Sequence, residues 1–392
     1  MLTNAVAPDK LGGLERIVRE LAAELVQRGS RVTVLAKRVN DGDPRDETGD
    51  DGVVVERYRL ASRSSRLFAP MYPIHTARAV RSSVRRAGTA VLHAHFPVPA
   101  LPLALGRKPY VYSFHAPVYR ELLLERHTRY PLARPLQPVA VEGLRRAERL
   151  VVRRATRIIV LSEYARSELH LLDPRAAERA TLIAGGIDTD RFSPGSGRRD
   201  AWSAEAEPLI FTARRLTPRT GVLELLSAMP TILRSLPRAR LAIAGAGSSE
   251  SLLRDRVAQL GLAGSVRFVG RISDADLVNS YRTADLVVIP SQALEGFGLT
   301  TAEALACGTP VVGTPIGATP ELLAGIDAGL VAADATPDGI AAAVVEVLSD
   351  SGRVAGIRRK LGETVASELS WRSVAPRYLE EYRQFSAALA RR

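Results

Sequence analysis

The sequence predicts an α/β protein of two doubly wound domains, each a parallel sheet with helices on both faces. Three observations predict it. Short apolar, β-branched runs alternate with helical patterns along all 392 residues. A stretch without periodicity, Gly185–Pro208, rich in Gly, Pro, Ser and charge, divides the chain and reads as an interdomain linker. Each half then has about the length of one doubly wound domain. The domains expected are 1–190 and 191–372, with 373–392 returning to the first.

In the first half, strands are expected at Arg31–Ala36, Val53–Tyr58, Ala90–His93, Tyr110–Phe114, Ile158–Leu161 and Thr181–Ile183. Helices fit between them. The clearest is Leu14–Arg28, with Leu14, Ile17, Val18, Leu21 and Leu25 on one face. In the second half the strands expected are Leu209–Ala213, Arg240–Ala244, Val266–Val269, Leu286–Ile289 and Pro310–Gly313. Only Met1–Val6 precedes the loop to Gly12 and Gly13, short for a first strand. A start codon inside the true one and a trimmed strand both account for it.

Composition excludes several classes. Apolar residues are 46% and charged residues 24%, which argues against a largely disordered chain. No apolar run reaches the roughly 18–20 residues of a membrane-spanning helix. No secretory signal is visible, and the lone Cys307 has no partner for an internal disulfide, so the cytoplasm is the compartment expected. The net charge of +12 belongs entirely to residues 1–200, and Arg57 to Arg157 carries a local +16. Such a field attracts nucleic acid, an anionic membrane surface or an anionic substrate. Coding bias explains why only 4 of the 54 basic residues are Lys, but not the confinement of the excess to one half. No nucleic-acid module or aromatic–basic stacking pattern accompanies it, so no nucleic-acid partner is expected.

The strongest local signal is Ser291–Pro315. A strand ends at Pro290, a loop carries Glu295, Gly296, Phe297 and Gly298, and a helix runs Leu299–Ala306 through Thr300. A glycine-lined helix N-terminus can turn backbone N–H groups toward an anion. Glu303 lies roughly 7 Å along that helix at 1.5 Å per residue, about the distance from a nucleotide's phosphates to its ribose. Its carboxylate can accept two hydrogen bonds from vicinal hydroxyls. Glu295 can hold hydroxyls of a sugar on the other side of the phosphates. A capping acid and a surface acid would leave the same pattern.

This string resembles the Glu-x7-Glu motif of glycosyltransferase family 4, retaining enzymes of the GT-B fold. Other segments follow in the family's order. Gly12-Gly13-Leu14-Glu15-Arg16 resembles the glycine loop that approaches the donor diphosphate. Tyr110–His115 resembles the strand carrying the active-site histidine, so His115 joins the candidates. Gly185-Gly186-Ile187-Asp188 with Arg191-Phe192-Ser193-Pro194 resembles the interdomain N-G-V-D…F-x-P stretch, with Gly for Asn. Ser370-Trp371 resembles the start of a C-terminal helix that crosses back to the first domain. One segment departs. Where the family carries G-R-L-x-x-x-K-G, this chain has Arg214-Arg215-Leu216-Thr217-Pro218-Arg219-Thr220-Gly221. Arg215 matches the Arg, Thr220 replaces the Lys, Arg214 replaces the Gly, and Arg219 is the substitute cation expected.

The resemblance implies two Rossmann-like domains facing a cleft, and hexosyl transfer from a nucleoside-diphosphate sugar to an acceptor hydroxyl with retention. Neither metal nor cofactor is implied. Catalytic roles fall to Glu295, His115 and Arg215. Donor contacts fall to Gly12, Gly13, Arg215, Arg219, Arg271, Glu295, Phe297, Gly298, Leu299, Thr300 and Glu303, the base lying near Gly270–Ile272. The acceptor belongs on the basic N-terminal domain. It is either a lipid-linked or anionic molecule at the inner face of the cell membrane, reached by peripheral contact, or a soluble specialised metabolite; envelope glycolipid or polysaccharide synthesis suits the first. Rival readings are a sugar-nucleotide epimerase of like fold and a catalytically weak nucleotide-sugar binder.

Weaker signals point elsewhere. Gly245-Ala246-Gly247 lacks the third glycine and the acid of a dinucleotide fingerprint. Asp274-Ala275-Asp276 follows Ser273 as a helix cap would. His93 and His95 read as cleft lining, and Cys307 as inert.

Overall fold

The computed structural model describes residues 1–10, 12–60, 68–125, 137–204 and 207–391. The parts of the basic stretch at 61–67 and 126–136 lie outside them. The chain forms two compact units. One holds the described residues up to Gly186 and takes back the chain from Trp371 onward; the other holds Ile187–Ser370.

The first unit contains α1 (Gly13–Gln27), β1 (Thr33–Lys37), β2 (Asp46–Thr48), β3 (Val54–Tyr58), α2 (Phe68–Ala87), β4 (His93–Ala94), α3 (Pro97–Leu105), β5 (Val111–Phe114), α4 (Val118–Glu125), α5 (Gln137–Arg154), β6 (Arg157–Val160), α6 (Glu163–Leu172), α7 (Pro174–Glu178) and β7 (Ala180–Leu182). Two ladders, β1–β3–β2 and β4–β5–β6–β7, are joined by the first four residues. Leu2 bridges Leu35 on one side and Ala94 on the other, both in parallel. Its N–H donates to the His93 carbonyl at 2.8 Å, and its carbonyl accepts from His95 N–H at 2.9 Å. The segment that looked too short for a strand therefore sits at the centre of the sheet. The pairs are parallel except β2 on β3, a short antiparallel edge that was not expected from the sequence. β5 is buried along its whole length, as a strand covered by helices on both faces must be. Helix α1 buries Ile17, Val18, Leu21, Ala22 and Leu25 on one stripe.

The second unit contains α8 (Ala201–Ala204), β8 (Leu209–Ala213), α9 (Val222–Ser235), β9 (Arg240–Ala244), α10 (Glu250–Gln259), β10 (Val266–Gly270), α11 (Asp274–Thr283), β11 (Leu286–Ile289), α12 (Leu299–Ala306), β12 (Val311–Gly313), α13 (Thr319–Ala324), α14 (Pro337–Leu348) and α15 (Ser351–Leu369). Its sheet runs β10–β9–β8–β11–β12, every pair parallel. The chain winds outward from β8 to β9 and β10, then returns to the other side of β8 for β11 and β12. That reversal makes the C-terminal ends of β8 and β11 a topological switch point, where doubly wound sheets open a crevice.

The expected linker is instead part of the second unit from Ile187 onward. Phe192 is buried, Arg191 pairs with Asp274, and Arg199 reaches the Thr283 carbonyl and Asp285. Lack of periodicity reflects an irregular segment held by side chains rather than a free connection. At the other end, α16 (Trp371–Ala390) lies in the first unit against α1. The Trp371 indole N–H donates to Glu20 at 2.8 Å, and its ring lies where a Cβ on Gly186 would stand, 2.3 Å away, so that position admits only glycine.

Candidate active site

Three loops meet at the switch point of the second unit. The loop after β8 carries Arg214 and Arg215 and turns through a short 3-10 segment, Pro218–Thr220, into α9. The loop after β11 runs from Pro290 to Gly298 and leads into α12. A third, after β12, brings Thr314 to Ala318. The first two are laced together. Gln292 N–H donates to the Arg219 carbonyl at 2.8 Å, and the Arg219 guanidinium reaches the Leu294 carbonyl at 3.4 Å. Gly221 has φ +74°, and a Cβ there would stand 1.6 Å from the Pro290 carbonyl oxygen. Glycine is what lets the two loops touch. Thr314 fixes the third loop by donating to the Ser291 carbonyl at 2.6 Å.

Within this frame the middle loop presents Glu295. Leu294 before it has φ +54°, sparsely allowed for a residue with a side chain. The Glu295 carbonyl accepts from Ala318 N–H at 2.8 Å. Its carboxylate Oε2 accepts from Ser291 Oγ at 2.9 Å and forms an ion pair with Arg214 Nη2. Burial alone would raise this carboxyl; Arg214, with Ser291 and Arg219 behind it, reverses the effect and holds it below its ordinary value. Gly298 then adopts φ +80° and opens α12 with no side-chain cap. Leu299 and Thr300 form its first turn, whose N–H groups carry the positive end of the helix dipole. Phe297 is buried beneath the loop.

Glu303, one turn further, is buried at 4% exposure, and Tyr281 on α11 donates to its Oε2 at 3.2 Å. Arg215 and Arg219 are half-buried on the first loop. Thr220 is turned away: its hydroxyl lies 2.7 Å from the carbonyl oxygens of both Arg215 and Thr217, which share its one proton, and its side chain is buried. Arg271 follows β10, two strands from β8, and is exposed. Arg215, Arg219, Glu295, Phe297, Gly298, Leu299, Thr300 and Glu303 thus lie on the loops after β8 and β11 and on α12, at the switch-point end of the sheet, while Arg271 follows β10.

The remaining candidates belong to the first unit. Gly12 is extended and Gly13 begins α1. His115 follows β5, and burial pushes its pKa down to about 4, so the ring is neutral at neutral pH. Its Nε2 meets His95 Nδ1 at 3.2 Å. His93 and His95 are not cleft lining as expected. Both are 2% exposed, their pKa values driven well below the ordinary range by burial. His93 is spanned by Tyr382 at 2.7 Å and Ser113 at 2.8 Å. His95 packs against His115 and His93 against His95, with ring centroids 5.5 and 4.0 Å apart.

Buried Glu148 on α5 accepts from the N–H groups of Val118 and Tyr119, at 2.9 and 3.0 Å, and so caps α4, the helix after His115. Between α2 and the β1–β3 ladder lies a cavity of about 490 Å³ lined by Arg38, Arg45, Arg57, Arg59, Arg78 and Arg86 against Asp46 and Glu56. Arg57 is neutralised by Asp9 and Glu47, and Arg86 by Glu56.

The family models match both parts of the chain. Residues 11–191 match Glycosyltransferase Family 4, and residues 198–366 match Glycosyl transferases group 1. A D-inositol 3-phosphate glycosyltransferase from Kineococcus radiotolerans is 30% identical over 407 aligned positions, covering 95% of this chain and 90% of that protein. The chain belongs to glycosyltransferase family 4. A phosphatidyl-myo-inositol mannosyltransferase from Mycolicibacterium smegmatis is 28% identical over 97% of this glycosyltransferase and 92% of its own length. Sucrose-phosphate synthase from Thermosynechococcus elongatus superposes with a TM-score of 0.80 at 22% identity, over 99% of each chain. Anabaena HepE in complex with UDP-glucose gives 0.73 at 20% identity, over 98% of this chain and 99% of that one. These likenesses give the glycosyltransferase the GT-B fold.

Sequence reasoning missed two residues that pair with the carboxylates of the Glu-x7-Glu motif. Tyr281 and Ser291 lie in ordinary-looking helix and loop sequence, and nothing in the sequence pairs them with Glu303 and Glu295. Arg214 left a signal, as a departure from the family's Gly, but not a partner.

Proposed function

We propose that this glycosyltransferase is a retaining, metal-independent enzyme that moves a hexosyl group from a nucleoside-diphosphate sugar to an acceptor hydroxyl. The observation that carries the reading is the convergence, at one switch point, of cations on the β8 loop, the uncapped start of α12 and the two carboxylates of the Glu-x7-Glu motif. The donor class is supported by structural relatives whose bound ligand is UDP-glucose.

In this reading the diphosphate lies at the first turn of α12, its charge met by the helix dipole and by Arg215 and Arg219. Glu303 accepts from the ribose hydroxyls and Glu295 from the sugar. Arg271 lies beside the base. As the anomeric C–O bond to the β-phosphate breaks, the acceptor oxygen bonds to the same carbon on the same face. Its proton passes to a phosphate oxygen of the leaving group, so no protein base is required. In the first unit, the family resemblance assigns donor contacts to Gly12, Gly13 and the neutral His115. The acceptor binds the basic first unit, with an anionic group near the arginine-lined cavity.

A screen of UDP-, GDP- and ADP-sugars tests it. Slow hydrolysis with initial release of the α-configured hexose from an α-linked donor is expected, unchanged by a chelator. Interconversion of donors would make the protein an epimerase, and binding without hydrolysis would reduce it to a nucleotide-sugar binder.

A further inference from the structure

We infer that Arg214 is a positioning residue for the transfer reaction: with Ser291 it clamps Oε2 of Glu295 and so turns Oε1 to the donor sugar. The inference rests on the reading that Glu295 meets that sugar. It is carried by geometry. Arg214 is the first residue after β8, and Ser291 and Glu295 come from the loop after β11, the neighbouring strand. Arg214 Nη2 bonds to Ser291 Oγ at 2.7 Å and pairs with Glu295 Oε2, while Ser291 Oγ donates to that same oxygen at 2.9 Å. The three groups close a triangle on one carboxylate oxygen. The Arg214 and Glu295 side chains are only 6% and 14% exposed, so little water competes for the pair.

The family pattern this segment resembles has glycine at this position, which can supply none of these contacts. From the β8 loop Arg214 and Arg219 face Glu295; from its own loop, Ser291; from the loop after β12, the backbone of Gly317 and Ala318.

The test is a pH series of thermal unfolding on wild type, Arg214→Ala, Arg214→Lys, Glu295→Gln and the double variant Arg214→Ala/Glu295→Gln, with turnover of UDP-glucose, GDP-mannose and ADP-glucose measured beside it. Without Arg214 the buried carboxyl titrates above its unfolded value, so the deficit in Tm of Arg214→Ala should widen as pH rises from 4 to 7. Adding Glu295→Gln should remove that widening, and Arg214→Lys should restore most of the wild-type profile. For the donor that wild type hydrolyses, Arg214→Ala should lower kcat more than it raises KM and should shift the acid limb of the pH–rate profile upward. A deficit in Tm that is equal at every pH, or coupling in Tm with turnover unchanged, overturns the role of Arg214. If Glu295→Gln leaves sugar-nucleotide binding and hydrolysis intact, it is the sugar contact of Glu295 that falls, while the Tm series still decides whether Arg214 holds the carboxylate.

Discussion

The Tyr281 hydroxyl donates to Glu303 Oε2 at 3.2 Å, and both side chains are buried. The second carboxylate of the motif is therefore tied into the core between α11 and α12, and its substitution has two separable consequences. Glu303→Ala should weaken binding of the nucleoside diphosphate by about 1.5–3 kcal/mol, the worth of hydrogen bonds to a charged group. It should also cost about 1–3 kcal/mol of stability, because the Tyr281 hydroxyl loses its acceptor. Glu303→Gln should keep the stability and still lose affinity. Calorimetric titration with UDP, GDP and ADP, beside thermal melts, separates the two; full affinity in Glu303→Gln would discard the ribose contact.

Arg219 stands beside Thr220, which occupies the position of the family's lysine. If Arg219 supplies the missing cation, Arg219→Ala should reduce turnover by about two to three powers of ten. Arg219→Lys should retain part of the rate. Thr220→Lys should not rescue Arg219→Ala, because residue 220 faces its own loop and its hydroxyl serves the Arg215 and Thr217 carbonyls. A silent Arg219→Ala with a severe Arg215→Ala would assign the diphosphate to Arg215 alone.

Glu148 gives a pH signature in the first unit. Burial pushes its pKa up to about 7, the Tyr119 and Val118 N–H groups offsetting only part of the effect. Since the folded value lies above the unfolded one, its ionisation opposes folding: stability falls as pH rises from about 4.5 to about 7 and is level beyond. Glu148→Gln should flatten that slope while weakening the cap on α4. A Tm–pH profile of the variant parallel to that of wild type across this window would show that Glu148 is not the group responsible.

The basic charge of the first unit predicts attraction to anionic lipid. The protein should sediment with phosphatidylglycerol-containing vesicles at low salt and release as salt rises, since about 1 kcal/mol per basic residue near the surface is screened away. Arg59→Glu and Arg78→Glu, two exposed members of the arginine-lined cavity, should weaken that binding. Equal binding to neutral and anionic vesicles, or none to either, would favour a soluble acceptor.

Much of this architecture is legible in the sequence alone, for a local reason. Leu209–Ala213, Arg240–Ala244 and Leu286–Ile289 are short runs rich in apolar residues, and helix Leu299–Ala306 begins directly after a glycine. Such signals are written in neighbouring residues, so the Glu-x7-Glu block could be read with its helix in place. What the tertiary structure alone decided is pairing between residues far apart in the chain. Leu2 bridges the two ladders of the first unit only because β1 and β4 supply hydrogen bonds on both sides. His93 is held by Tyr382, nearly three hundred residues away, and His95 by His115. Arg214 meets Glu295, and Tyr281 meets Glu303, because the order of strands in the sheet sets β8 against β11 and packs α11 beside α12. Sequence spacing fixes what a residue can do to its neighbours along the chain; the charge state and orientation of a buried carboxylate depend on the groups that folding brings against it.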